Sequence, residues 1–188
     1  VKSRARENHV RYNLIADGPD GTAAYELEFP NGGLAYVVGN VIAQSAATED
    51  SVLVAYGDEG PRWPDNALYF AHNTLINGRH EGGEFLKLWP ERLAGAEAWI
   101  LNNLTVGNGD LYQPPYGRFE GNRSAPESAL IDYAGLPVRL KPDDPLRGSV
   151  RVPGMARDEE LIPDAEFTLP AGTRPIRPGS SLAPGAVQ

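Results

Sequence analysis

The chain contains no cysteine, which excludes disulfide scaffolds, cysteine-ligated zinc and thiol catalysis. No apolar run approaches the ~18 residues of a helical membrane span. Positive charge is scarce as well. Seventeen Lys+Arg face 25 Asp+Glu for a net charge of −8, which counts against a general nucleic-acid partner. There is no Walker loop, nucleophile elbow or His-Glu-x-x-His. His9, His72 and His80 have no ligand spacing, so no metal site is read here, and His72 beside Asn73 reads as a turn residue. Turn formers, by contrast, are plentiful. Twenty-one Gly and 17 Pro disfavour a helical bundle and favour short strands joined by turns. At 188 residues and 41% hydrophobic, the chain is one domain or part of a larger one. Val1 to Arg6 carries neither an initiator methionine nor a leader's apolar stretch, and reads as the interior of a longer protein.

A phrase recurs around one asparagine: Val10-Arg11-Tyr12-Asn13, Val37-Val38-Gly39-Asn40, Phe70-Ala71-His72-Asn73, Ile100-Leu101-Asn102-Asn103 and Phe119-Glu120-Gly121-Asn122. The position three before each Asn is always apolar. Intervals of 27, 33, 30 and 19 residues are too irregular for a helical solenoid and suit coils with loops of varying length. Between the asparagines lie further strand-like runs, Tyr25–Phe29, Ser51–Tyr56 and Glu84–Trp89, the first alternating apolar and polar at period two. One coil cannot bury its apolar side chains alone, whereas stacked coils enclose a continuous interior. An inward asparagine at the same turn of every coil would satisfy turn amides that are otherwise orphaned. The expectation is an all-β fold, the C-terminal portion of a parallel β-helix, with coils over residues 1–136. Residues 137–188 hold 9 of the 17 prolines and are predicted to form an irregular closing segment, extended beyond residue 150, because proline cannot donate to a strand ladder.

The phrases Gly39-Asn40-Val41-Ile42, His72-Asn73-Thr74-Leu75-Ile76 and Asn102-Asn103-Leu104-Thr105-Val106 resemble right-handed parallel β-helix proteins of the pectin-lyase-like superfamily. The run Val138–Leu146 is similar to the C-terminal coil of bacterial secreted β-helix proteins, which implies a secreted or periplasmic protein. Lys2-Ser3, Glu7-Asn8 and Tyr12-Asn13 resemble the Lys-Ser…Glu-Asn…Asn stretch of the alginate lyase and chondroitinase B family. That likeness implies Lys2 as the base removing the C5 proton of a uronic acid. It also implies calcium held by carboxylates upstream of this chain. The family's partner arginine should fall within Tyr25 to Phe29, where this sequence has Glu26 and Glu28 instead.

Elimination on an acidic sugar needs a base and positive charge for the enolate-like intermediate. Lys2 and Arg4 alternate onto one strand face, and a lysine base needs its pKa lowered. Glu26 and Glu28 are expected to point outward, as calcium ligands, as an inverting hydrolase pair, or as ion-pair partners of Lys2 and Arg4 on the neighbouring coil. Arg62, Trp63, Lys87 and Trp89 border a plausible saccharide groove, since aromatic faces stack on sugars and Arg forks carboxylates. Tyr56, Tyr112 and Tyr116 recur near the same loops. Asp17-Gly18-Pro19-Asp20-Gly21 lacks the EF-hand order and reads as a turn. The leading expectation is binding and β-elimination of an acidic polysaccharide. A non-catalytic carbohydrate-binding or structural β-helix and a glycoside hydrolase remain as alternatives.

Overall fold

The computed structural model describes residues 1–93, 95–133 and 136–188. Short β-branched and aromatic runs, broken by Gly and Asn, form short strands joined by turns. The first four turns of the chain each contribute three strands: β1 (Glu7–Arg11), β2 (Leu14–Ala16) and β3 (Leu27–Phe29); β4 (Leu34–Val38), β5 (Val41–Gln44) and β6 (Val54–Tyr56); β7 (Ala67–Ala71), β8 (Thr74–Asn77) and β9 (Glu84–Leu88); β10 (Glu97–Leu101), β11 (Leu104–Val106) and β12 (Asp110–Leu111). A fifth adds β13 (Gly117–Glu120) and β14 (Arg123–Ser124). Every third strand joins the same sheet, in the orders β1-β4-β7-β10-β13, β2-β5-β8-β11-β14 and β3-β6-β9-β12. Pairing throughout these three sheets is parallel. The fold is therefore all-β, with the stacked parallel sheets of a coiled chain, an arrangement compatible with a β-solenoid.

Side chains at one register position stack into columns. Val10, Val37, Phe70, Ile100 and Phe119 align on the first sheet, and Ile15, Ile42 and Leu75 on the second. Leu27, Val54 and Leu86 join them in one core cluster. The five expected asparagines do form a column. Asn40 donates its backbone N–H and its side-chain amide to Asn73 Oδ1, both at 3.0 Å. Asn73 does the same to Asn103 Oδ1 at 2.9 and 3.0 Å, Asn13 to Asn40, and Asn103 to Asn122. The second amide hydrogen of Asn73 reaches back to the Val37 carbonyl at 3.0 Å. A corner of the chain that would strand its backbone donors is thus fully paired.

The residue before each ladder asparagine adopts positive φ: Tyr12, Gly39, His72, Asn102 and Gly121. The ladder side chain thereby turns inward, and the residue before it faces the C-terminal segment, Tyr12 bonding Asp164 and Asn102 bonding the Arg151 carbonyl. That segment begins with a short 3-10 turn (Glu127–Ala129) and the antiparallel hairpin β15 (Leu130–Tyr133)–β16 (Leu136–Leu140). Beyond residue 150 it is not simply extended. Two further hairpins form, β17 (Met155–Ala156)–β18 (Glu159–Glu160) and β19 (Ala165–Thr168)–β20 (Gly172–Pro175), each pairing its own backbone groups locally.

The tail covers two of the three outer faces. On the first sheet, His9, Tyr36, Tyr69 and Trp99 form an outward aromatic column, with stacked centroids 4.8 and 5.1 Å apart along its first three rings. Ala156 and Leu161 pack on it, and Arg157 donates to the Tyr69 hydroxyl at 3.1 Å. On the second sheet, Val41, Ile76 and Leu104 pack against Val138, Leu140, Ala183, Ala186 and Val187. Gly185 sits so close that an added Cβ would lie 2.7 Å from Thr74 Oγ1 and 3.0 Å from Leu104 Cβ. Among the described residues no helix is long and apolar enough to cross a membrane.

Candidate functional site

The outer face of the third sheet carries most of the residues singled out by sequence. Lys2 forms a parallel bridge with Glu28, adding one rung before β3. The register then runs Glu28–Ala55–Lys87. Lys2, Glu28 and Lys87 therefore stand in one column, on rungs about 4.8 Å apart. Leu27 and Phe29 flank Glu28 on the inner side and are fully buried, which is why Glu28 faces out.

Lys2 Nζ donates to Glu28 Oε1 at 2.7 Å and to Glu59 Oε1 at 3.3 Å. Arg4 grips Glu59 with both terminal nitrogens and donates to Asn31 Oδ1 at 2.6 Å. Asn31 in turn donates to the Gly60 carbonyl at 3.2 Å, and its own carbonyl accepts from Arg62 N–H at 3.1 Å. The turn Gly57–Gly60 after β6 is thereby locked beside residues 2–4. Arg62 lies over the Trp63 ring at 5.6 Å, and Trp63 packs near Gly33, whose Cβ position is 3.1 Å from the ring. Two rungs beyond β3, Lys87 pairs with Glu84 at 2.7 Å and lies 5.5 Å over Trp89.

The electrostatics of Lys2 run opposite to the expectation for a base. Its hydrogen bond to Glu28 outweighs desolvation and, together with Glu59, raises its pKa. Arg4 is likewise held charged, chiefly by Glu59. Glu59 in turn is pulled down to about 2, first by the Arg4 hydrogen bond. Carboxylate oxygens of Glu28, Asp58 and Glu59 lie within 4.8 Å of one another. These three supply the oxygen donors a divalent cation prefers, while Lys2 and Arg4 already neutralise two of them.

Two expectations need correcting. Glu26 and Glu28 are both buried, at 4% and 7% exposure. Glu28 is covered through its ion pair with Lys2, and Glu26 is directed away from the shared column toward Asp17. Burial, followed by the Asp17 charge, pushes the Glu26 carboxyl up to about 7. An exposed carboxylate pair for inverting hydrolysis is therefore not formed. Tyr56 is not a groove residue, because its ring lies in the core and its hydroxyl donates to the Gly33 carbonyl at 2.6 Å. Asn103 opens an Asn-Leu-Thr triplet that matches a glycosylation sequon, and it is fully buried in the ladder, as its ladder role predicts.

Sequence reading missed Asn31, Asp58 and Glu59. The signal was the Gly57-Asp58-Glu59-Gly60 turn one coil after Glu28, which register places beside the Lys2–Arg4 cations. No family model matches this chain, and no curated protein or solved structure matches it either.

Proposed function

We propose that the chain is a right-handed parallel β-helix of the pectin-lyase-like type, whose third-sheet outer face binds an acidic, uronic-acid-containing polysaccharide outside the cytoplasm. The observation that carries the reading is the exposed Lys2–Arg4 pair. Both cations are held charged at Glu59, with side chains 46% and 42% exposed. Surface ion pairs are weak and exchangeable, so a uronate carboxylate can take the place of Glu59 on Arg4 with little net loss. Trp63 with Arg62, and Trp89 with Lys87, add aromatic faces and cations farther along.

Binding is favoured over cleavage because Lys2 is stabilised in its protonated form and the β3 strand offers no arginine. β-Elimination, with Lys2 as base and Arg4 as charge stabiliser, is the second reading. It is favoured by the place of Lys2 on the third sheet, one rung before Glu28. The test is titration with alginate, pectate and glycosaminoglycans, with absorbance followed near ~235 nm, where unsaturated uronic ends absorb. Binding without absorbance is expected. Lys2→Gln and Arg4→Gln should each weaken it about 5–10-fold, the scale of one charge-assisted contact. Absorbance growth would select elimination. No binding to any uronate polymer would refute the proposal.

A further inference from the structure

A second polar constellation lies away from this face, at the corner where the second sheet turns toward the third. Among the described residues, three shielded side-chain oxygens there have no hydrogen-bond partner: Asp17 Oδ1, Glu26 Oε1 and Gln44 Oε1. Glu26 and Gln44 are each only 4% exposed. Register places Asp17 and Gln44 together. Ala16 pairs with Ala43 in the last rung of β2 on β5, each immediately precedes one of the two, and both Asp17 and Gln44 line one cavity with Pro19 and Ser45. The Glu26 carboxyl is within hydrogen-bonding reach of the Asp17 carboxyl.

The other polar atoms of Asp17 and Gln44 are already engaged. Asp17 Oδ2 accepts from Ala23 N–H at 3.2 Å, and the Gln44 amide donates to the Asp50 carbonyl at 2.8 Å. What is left over is acceptors only. A buried acceptor without a donor is costly, more so when charged, and two adjacent carboxylates repel. Neither group can relieve the other without gaining a positive charge.

We infer that Asp17, Glu26 and Gln44 form a binding site for one divalent cation, with calcium as the fitting ion. Two carboxylates and an amide carbonyl are hard oxygen donors. Calcium accepts an irregular set of this kind and completes its shell with backbone carbonyls and water. Magnesium asks for stricter octahedral geometry. The cavity at Pro19 and Ser45 provides the path from solvent. Bound there, the ion would tie the loop after β2 to β5 and to the residue preceding β3, fixing three segments of adjacent rungs.

The test is calcium titration of the chelator-treated full chain by calorimetry at pH 8, alongside thermal unfolding. One calcium per chain is expected, with a rise in the unfolding midpoint that grows with calcium concentration. Glu26→Gln preserves shape and removes the buried charge. It should unfold at or above the wild-type temperature in chelator, yet lose calcium binding and the calcium-dependent rise. Gln44→Met should weaken calcium at least tenfold, and Glu59→Gln should leave this affinity unchanged. If wild type binds no calcium, or if binding survives Glu26→Gln, the site does not exist. Loss of binding in Glu59→Gln alone would move the ion to the Glu28–Asp58–Glu59 cluster and equally overturn the inference.

Discussion

Asn73 shows how one side chain closes a corner of the fold. It accepts two hydrogen bonds from Asn40 and donates to Val37 and Asn103, all within a fully buried turn. Removing it orphans groups on three coils, each worth about 1–3 kcal/mol. Asn73→Ala should therefore lose at least ~3 kcal/mol in urea unfolding, whereas the same change at the exposed terminal Asn13 should cost far less. His72, its neighbour, is completely buried and hydrogen-bonded through Nε2 to the Asn102 amide at 3.0 Å. Burial lowers its pKa from 6.5 to about 4. Below pH 6.5 the unfolded chain takes up the proton first. The neutral ring's contribution is thus complete above that pH and fades as pH falls toward 4. From pH 7 to pH 4.5 the His72 share of stability should drop by about 2 kcal/mol. His72→Asn, which suits the same positive φ as Asn102, should flatten that part of the profile in paired urea titrations.

At the scale of the element, the turn before each asparagine is the part that tolerates least. Gly39 has φ +70°, and an added Cβ would lie 2.7 Å from the Tyr12 ring. Gly39→Ala meets both a left-handed backbone and a clash, so a loss of about 1–3 kcal/mol is expected. Adding Tyr12→Ala removes the clash but not the backbone strain. A partial rescue in the double variant, read from unfolding midpoints, would separate the two. The outward column of aromatic rings on the first sheet follows from the same stacking. Residues 27 to 33 apart in sequence are brought into contact by register alone, and Arg118 ends the series 4.8 Å over Trp99.

For the whole molecule, the closing segment decides which surface remains for a ligand. It lies over Tyr36, Val38, Tyr69 and Leu101 on one sheet and over Val41, Ile76 and Leu104 on another. Buried Glu166 anchors its hairpin, accepting from Arg174 and from Gln188 N–H at 2.7 Å. Truncation after Gly148 should bare the first sheet's apolar face and the part of the second that Ala183, Ala186 and Val187 cover. Increased dye binding and concentration-dependent association in light scattering are the expected results, since contiguous patches of this kind drive aggregation. A truncated chain that stayed monomeric and dye-free would show that the tail is dispensable.

The asparagine column, the parallel coils and the apolar interior were legible in the sequence, because each rests on a residue type repeated at the same place in every coil. An ion pair between Lys2 and a glutamate of the next coil, as Lys2 and Glu28 form, was one of three alternatives that strand alternation and in-register stacking left open. The sequence could not reveal that Glu26 leaves the column for Asp17, or that the proline-rich tail folds into hairpins over two sheets. Those outcomes depend on how loops of unequal length come back to neighbouring rungs. A loop's path is set by whatever surface it finds to cover, and only the assembled coils create that surface.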